Sequence, residues 1–374
     1  MHLISFVDDI RPEIVTPALD PQFRISQVTL FCEDEKRRDA THVAEEIRHA
    51  KLPVNTLPIR PEWDVQAVHE RLSSVISLSP APCLINLSAA TPLQAAIAQQ
   101  VALRHNVASF VIHPEEDRLL WLTPPPSAQP AEDASIADTL DLERYFGLYG
   151  IELVECKYRL GNRDSKLEKL SCELMDIAIR QPEAIHTLNR LGAGMDKNFV
   201  SRLHIPVEQK ELKDFISRCA IACRTSDDRI DFGDAETRFF LCGGWLEVWL
   251  LYQVAQLRDE FDIHDAASGV KIVSNETVRN EYDLAMLVNN QLFLVECKTV
   301  VQKGQGGGVG MDVLFKLDSV SQLGGLHAHA MLISLSVATA DEVSRATLQG
   351  LALINGKELH NIRERLRHWI RATT

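Results

Sequence analysis

No hydrophobic run in the 374-residue chain approaches the roughly 20 residues that a membrane-spanning helix needs, so an integral helical membrane protein is excluded. Basic residues are in deficit. The 39 Lys and Arg stand against 52 Asp and Glu, a formal net charge of -13. That balance argues against a protein that coats nucleic acid by bulk charge, while it still permits a local basic groove or an acidic site loaded with metal. The eight cysteines are scattered, and Cys219 and Cys223 lack the second pair or the His-x3-His partner that a zinc site requires. Reduced thiols are expected, as in a cytoplasmic protein. The apolar segment "HLISFV" meets the acidic pair Asp8 and Asp9 too soon for a secretory signal, which points to the cytoplasm as well. The glycine-rich stretch "KGQGGGVG" lacks the Gly-Lys-Ser/Thr ending of a phosphate-binding loop and is expected to be a mobile loop.

What is present divides the chain into three parts. Residues 1–135 alternate short β-rich runs, "HLISFV", "QVTLFC", "VNTLPI", "CLINLS" and "VASFVIH", with helical segments such as "EKRRDATHVAEEIRHAKL", where Ala40, Val43, Ala44 and Ile47 share a face. This alternation predicts an α/β domain with a parallel sheet covered by helices. A ligand there would bind beyond the C-terminal strand ends, so "DDIRPEIVTPALD" and "SAATPLQ" are the candidate loops. After a Pro- and Ala-rich boundary, residues 136–234 are expected to form a mainly helical connector. Residues 235–374 open with what reads as one long amphipathic helix, "ETRFFLCGGWLEVWLLYQVAQLRDEF", and continue with strands "VKIVSN", "EYDLAMLVN" and "QLFLVECKTV".

The tetrapeptide Val-Glu-Cys-Lys occurs twice, ending at Lys157 and at Lys298. In a strand, residues two apart point to the same side, so the Glu and Lys of Glu-X-Lys address one site. Carboxylates and a lysine in that arrangement suit metal-assisted phosphodiester hydrolysis, provided a further Asp arrives from a neighbouring strand. The second copy has that partner: Asp283 precedes Glu296, and Asn289 and Asn290 between them read as a hairpin turn. Glu247, on the preceding helix, offers a third carboxylate. The first copy has only a helical segment upstream, so Glu155 and Lys157 are expected to be an ordinary ion pair near the start of the connector. Trp245, Val248, Trp249 and Tyr252 read as core, His327 and His329 as sheet-end residues, and Arg363, Arg365, Arg367 and Arg371 as either an exposed helix face or phosphate contacts.

With those residues in view, "RFFLCGGWLEVWL", "NEYDLAMLVNNQLFLVECKT" and "LFKLDSVSQLGG" resemble the PD-(D/E)XK nuclease domain of CRISPR ancillary nucleases that carry an N-terminal CARF domain. The N-terminal order of strands and helices is similar to that sensor, so the resemblance spans essentially the whole chain. It implies a Rossmann-like CARF parallel sheet, the helical connector and a C-terminal restriction-endonuclease-like α/β domain. It implies that Glu247, Asp283 and Glu296 bind Mg2+ or Mn2+, that Lys298 is the catalytic lysine, and that Lys316 and Gln322 face the scissile phosphate. It further implies a homodimer that binds a cyclic oligoadenylate across its sensor domains and cuts RNA or DNA. Asp8, Asp9, Arg11, Ser88 and Thr91 are the candidate residues for that regulatory ligand. The family pattern after the fourth strand, Asn-x-Thr-Gly-Gly-Thr-Lys, is replaced by "NLSAATPLQ", with Ala89 and Ala90 for the glycines and Pro92 for the lysine. Two readings of other kinds stand beside this one: a non-catalytic nucleotide-binding regulator, and a constitutive repair-type nuclease with a degenerate sensor.

Overall fold

The computed structural model describes residues 1–59, 64–113, 116–125, 135–162, 164–274, 278–299, 308–321 and 328–373, with side chains placed except in 318–321. The first sheet contains β1 (His2–Phe6), β2 (Gln27–Cys32), β3 (Val54–Pro58), β4 (Cys83–Asn86), β5 (Ala108–His113) and β6 (Arg118–Thr123). Its order is β3-β2-β1-β4-β5-β6, parallel throughout except for β6, which returns antiparallel beside β5. Helices α1 (Pro12–Leu19), α2 (Arg37–His49), α3 (Val65–Leu78) and α4 (Pro92–His105) cover it in the crossovers. Ala40, Val43, Ala44 and Ile47 of α2 are fully buried, as the periodicity predicts. Strand order reverses between β1 and β4, so the two candidate loops lie side by side at that switch point.

The second sheet has the order β14-β13-β12-β11-β10-β7. It is built from β7 (Ile151–Arg159), β10 (Asp265–Ser274), β11 (Val278–Val288), β12 (Gln291–Lys298), β13 (His329–Ser334) and β14 (Ala352–Asn355). A small ribbon, β8 (Cys223–Arg224) with β9 (Ile230–Asp231), lies apart from it. The hairpin between β11 and β12 turns on Asn289 and Asn290, both at positive φ (49° and 54°), as two-residue turns of this twist require.

Around the sheet lie α5 (Leu142–Leu148), α6 (Ser165–Arg180), α7 (Pro182–Ala193), α8 (Lys210–Arg218), α9 (Ala235–Phe239), α10 (Trp245–Ala255), α11 (Arg258–Phe261), α12 (Met311–Ser321), α13 (Ala340–Leu348) and α14 (Ile362–Thr373). Two expectations need correction here. The segment 136–234 is not a separate connector: β7 pairs antiparallel with β10 as the edge strand of the second sheet. Its helices also share one core with the sheet, where Leu174, Leu188 and Phe215 pack in the same cluster as Trp245, Leu284 and Phe293. The expected single long helix from Glu236 is broken. A wide turn at Phe240–Gly244 interrupts it, with Gly243 at φ 159° and Cys242 outside helical geometry, a conformation that glycine reaches at low cost.

Candidate active site

Asp283 on β11 and Glu296 on β12 are brought abreast by a register that pairs Leu284 with Val295. One Asp283 oxygen accepts the Cys297 backbone N–H at 2.6 Å, which fixes the carboxylate against the next strand. Lys298 follows two residues after Glu296, on the same side, and its Nζ lies 2.5 Å from Glu296 Oε1. Lys316, on α12, reaches the same oxygen at 3.8 Å. Glu247 enters from the first turn of α10 and is buried, as is Glu296. Gln322 lies outside the described residues.

Burial and mutual repulsion dominate the electrostatics. Removal from water pushes the Glu247 carboxyl up to about 9, with the Asp283 charge adding to the effect and the Lys157 ammonium opposing it. Asp283 is pushed up to about 7 by burial and then by the Glu296 charge, against the Cys297 amide. Burial works against the Lys298 charge, but Glu296 and Asp283 outweigh it and hold the ammonium above its usual range.

Three oxygen donors whose charges destabilise one another are the donor chemistry that a hard divalent cation such as Mg2+ or Mn2+ selects. Among the described residues, however, no group of three or more His, Cys, Asp or Glu is already placed to hold a metal. Lys298 lies instead against Glu296. Beside the site a cleft of about 690 Å³ is lined by Lys271, Arg279, Glu281 and Lys316, among others. Sequence reasoning had not placed Lys271 or Arg279 there. Their alternation with Glu281 and Asp283 on the β10–β11 pair was the available signal.

The C-terminal arginines lie elsewhere. Arg367 and Arg371 close on Glu260 at 2.7 and 2.9 Å, and Arg365 pairs with Glu358 at 2.7 Å. Trp245 and Trp249 are core residues, and His329 hydrogen-bonds Gln291.

In the N-terminal domain the five candidate ligand residues do not form one cluster of open groups. Lys36 bridges Asp8 and Asp9. Arg11 points away, donating to the Leu148 carbonyl at 2.7 Å and pairing with Asp39 at 2.9 Å. The Ser88 hydroxyl donates to Asn86 Oδ1 and accepts from the Ile112 amide. Thr91 caps α4, with its side-chain oxygen accepting from the Gln94 amide and the Gln94 side chain answering in a capping box.

With the geometry established, comparison with known proteins identifies part of the chain. Residues 234–373 match the family described as "Card1-like, endonuclease domain". That C-terminal stretch is similar to Card1-like endonuclease domains. The match runs from the start of α9 to the end of α14 and includes all four residues at the site. No curated protein matches the chain. Among solved structures, protein VC1899 from Vibrio cholerae superposes with a TM-score of 0.87 at 24% identity, over 100% of this chain and 98% of that one. Can2 from Sulfobacillus thermosulfidooxidans, solved in complex with cyclic tetra-adenylate, gives a TM-score of 0.80 at 16% identity over 99% of each chain. A type III CRISPR defence DNA nuclease activated by cyclic oligoadenylate gives 0.57 at 16% identity, over 89% of this chain and 45% of that one. The resemblance to CRISPR ancillary nucleases read from the motifs therefore stands, and the whole chain has the α/β fold of these structures. No helix among the described residues is long and apolar enough to cross a membrane.

Proposed function

We propose that the protein is a metal-dependent endonuclease that hydrolyses phosphodiester bonds of RNA or DNA, acting as a homodimer under the control of a cyclic oligoadenylate bound between its N-terminal domains. The observation that carries this reading is that Asp283 and Glu296 stand abreast on paired strands with Lys298 against Glu296, while the buried Glu247 carboxyl is close enough for their charges to act on it. Mg2+ or Mn2+ held by these carboxylates would supply positive charge to a pentacoordinate phosphate. Lys298, drawn from Glu296 toward the substrate, orients the attacking water through its ammonium hydrogens and offsets charge as it develops. Lys316 stands where it can contact a non-bridging oxygen, and the cleft along β10 and β11 leads the strand to the site.

The cyclic-nucleotide control rests on likeness of fold to proteins whose descriptions name cyclic tetra-adenylate and cyclic oligoadenylate. A second reading, a constitutive nuclease, draws support from the N-terminal loops, where Ser88, Thr91, Asp8 and Asp9 all have local partners. Cleavage of labelled single-stranded RNA and of plasmid DNA, with Mg2+ or Mn2+ and with or without cyclic oligoadenylates of three, four and six units, tests both. The proposal expects nucleotide-stimulated cleavage that Glu296→Ala and Lys298→Ala abolish. Cleavage unaffected by either substitution would overturn the catalytic assignment, and nucleotide-independent cleavage would select the constitutive reading.

A further inference from the structure

The first Val-Glu-Cys-Lys copy lies in the same sheet as the second, at a register that gives its lysine a role. Ser268 and Val270 of β10 pair with Tyr158 and Cys156 on one side and with Leu284 and Tyr282 on the other. Gly269 between them therefore stands abreast of Lys157 and of Asp283, and Asp283 stands abreast of Glu296. Lys157, Gly269, Asp283 and Glu296 form one row across four strands.

Gly269 adopts φ +59°, and a Cβ there would come within 3.0 Å of both Cβ and Cδ of Lys157. The absent side chain is what lets the lysine stem lie across β10. The Lys157 ammonium then rests 3.4 Å from the centroid of the Phe239 ring. That ring in turn lies over Gly244, where a Cβ would come 2.5 Å from its Cε1. Two glycines thus make room for a lysine seated on an aromatic face, next to the helix that carries Glu247.

Among the described residues Lys157 has no carboxylate within ion-pair distance, in contrast to Lys271 on Glu155 and Lys298 on Glu296. Lys157 is half-buried, and an ammonium held by a ring face keeps its hydrogens for an anion. With strands about 4.8 Å apart, Lys157 and Lys298 start from opposite sides of the Asp283 position. They would bracket an anionic chain laid across the row.

We propose that Lys157, seated on Phe239 across Gly269, binds a phosphate of the substrate strand next to the scissile one, on the side of Asp283 away from Glu296. The ligand chemistry is the phosphodiester backbone of a single-stranded polynucleotide. The proposal rests on the nuclease reading above.

The test measures anisotropy of a fluorescein-labelled single-stranded 20-mer, as RNA and as DNA, in EDTA and in Ca2+ over a salt series. It compares the wild type with Lys157→Ala, Lys157→Arg and Phe239→Ala, each checked for an unchanged thermal melt. Loss of one charge-assisted contact predicts about fivefold to tenfold weaker binding for Lys157→Ala. Its slope of log affinity against log salt should fall by about 0.7, the loss of one backbone contact on a single strand. Lys157→Arg should restore the slope, and Phe239→Ala should weaken binding without changing it. In Mg2+ the Lys157→Ala defect should appear in KM with kcat nearly preserved. Wild type that cleaves while Lys157→Ala binds with unchanged affinity and slope would overturn the role of Lys157 alone. Wild type that neither binds nor cleaves either polymer, with or without cyclic oligoadenylates of three, four and six units, would overturn the nuclease reading and this assignment with it.

Discussion

The joint between the two sheets contains a buried acid whose substitution by asparagine should change how stability depends on pH. Asp117 sits at φ 47° in the turn between β5 and β6 and is only 6% exposed. Its Oδ2 accepts from Asn290 Nδ2 at 2.6 Å, and Asn290 belongs to the β11–β12 hairpin turn. Asn290 also donates to the Ala137 carbonyl and accepts from the Thr139 amide, both at 3.3 Å. Burial pushes Asp117 up to about 8; the Asn290 bond opposes this, and the charges of Asp138, Glu13 and Asp20 add to it.

The sign follows directly from the direction of this shift. Between pH 4 and 8 the folded state keeps a proton that the unfolded chain has lost, so stability is fully present below the unfolded value and falls as pH rises through that window. At about 1.4 kcal/mol per unit, the loss over the window is on the order of 5 kcal/mol. Asp117→Asn keeps an acceptor for Asn290 and removes the titration. Urea unfolding at pH 5, 6.5 and 8 should show the variant gaining on the wild type at each step. Glu13, pushed up to about 7 by burial, leaves some pH dependence in both proteins, so the difference between them is the quantity to read. Parallel stability curves for variant and wild type would refute the reasoning.

Removing the other half of the joint should be costly at any pH, since Asn290→Ala deletes three hydrogen bonds and leaves Asp117 without its donor; a loss of about 2–4 kcal/mol in urea unfolding is expected. Glu155→Gln breaks only an exposed pair with Lys271 and should leave both melting temperature and cleavage rate within error of wild type. Mn2+ at 100 times its dissociation constant should stabilise the wild type by about 2.7 kcal/mol, read as a thermal shift, and Glu296→Gln should abolish that shift as well as cleavage. Gly244→Ala places a methyl against the Phe239 ring and should lower the melting temperature by several degrees at a cost of about 1–3 kcal/mol.

Much of this was legible because each signal was local. The β-rich runs of the N-terminal part became β1 to β5; β1, β2, β4 and β5 are mostly buried parallel strands, which read as nearly continuous apolar segments, while β3 is an exposed edge strand. Asp283, Glu296 and Lys298 could be grouped because a tight turn at Asn289 and Asn290 fixes register over a few residues. What could not be read is contact between segments distant in sequence. Lys157 lies more than 100 residues before its partner strand β10, and no periodicity within "IELVECKYRL" names that partner. The Gly-rich stretch is similar. Most of "KGQGGGVG" falls outside the described residues, but its end is anchored: the Val309 and Gly310 amides donate to Glu342 at 3.2 and 2.7 Å. That carboxylate, which also caps α13, comes from a segment no local pattern connects to the loop.

Two further features of the sequence find their cause in this non-local packing. "FLCGGWLE" reads as part of one long helix, yet its two glycines have identifiable tasks. Gly243 turns the chain at φ 159° so that α10 starts anew, and Gly244 makes room for the Phe239 ring. The break puts Glu247 in the first turn of the renewed helix and leaves Phe239, on which Lys157 rests, just before it. The same logic applies to Gly269, a residue poorly suited to the middle of a strand unless another chain segment must cross it. The residues conventionally read as weak points of secondary structure are here the ones that let side chains from β7, α9 and α10 meet beside Asp283 and Glu296. The candidate site is therefore specified as much by where side chains are missing as by its acids and lysine.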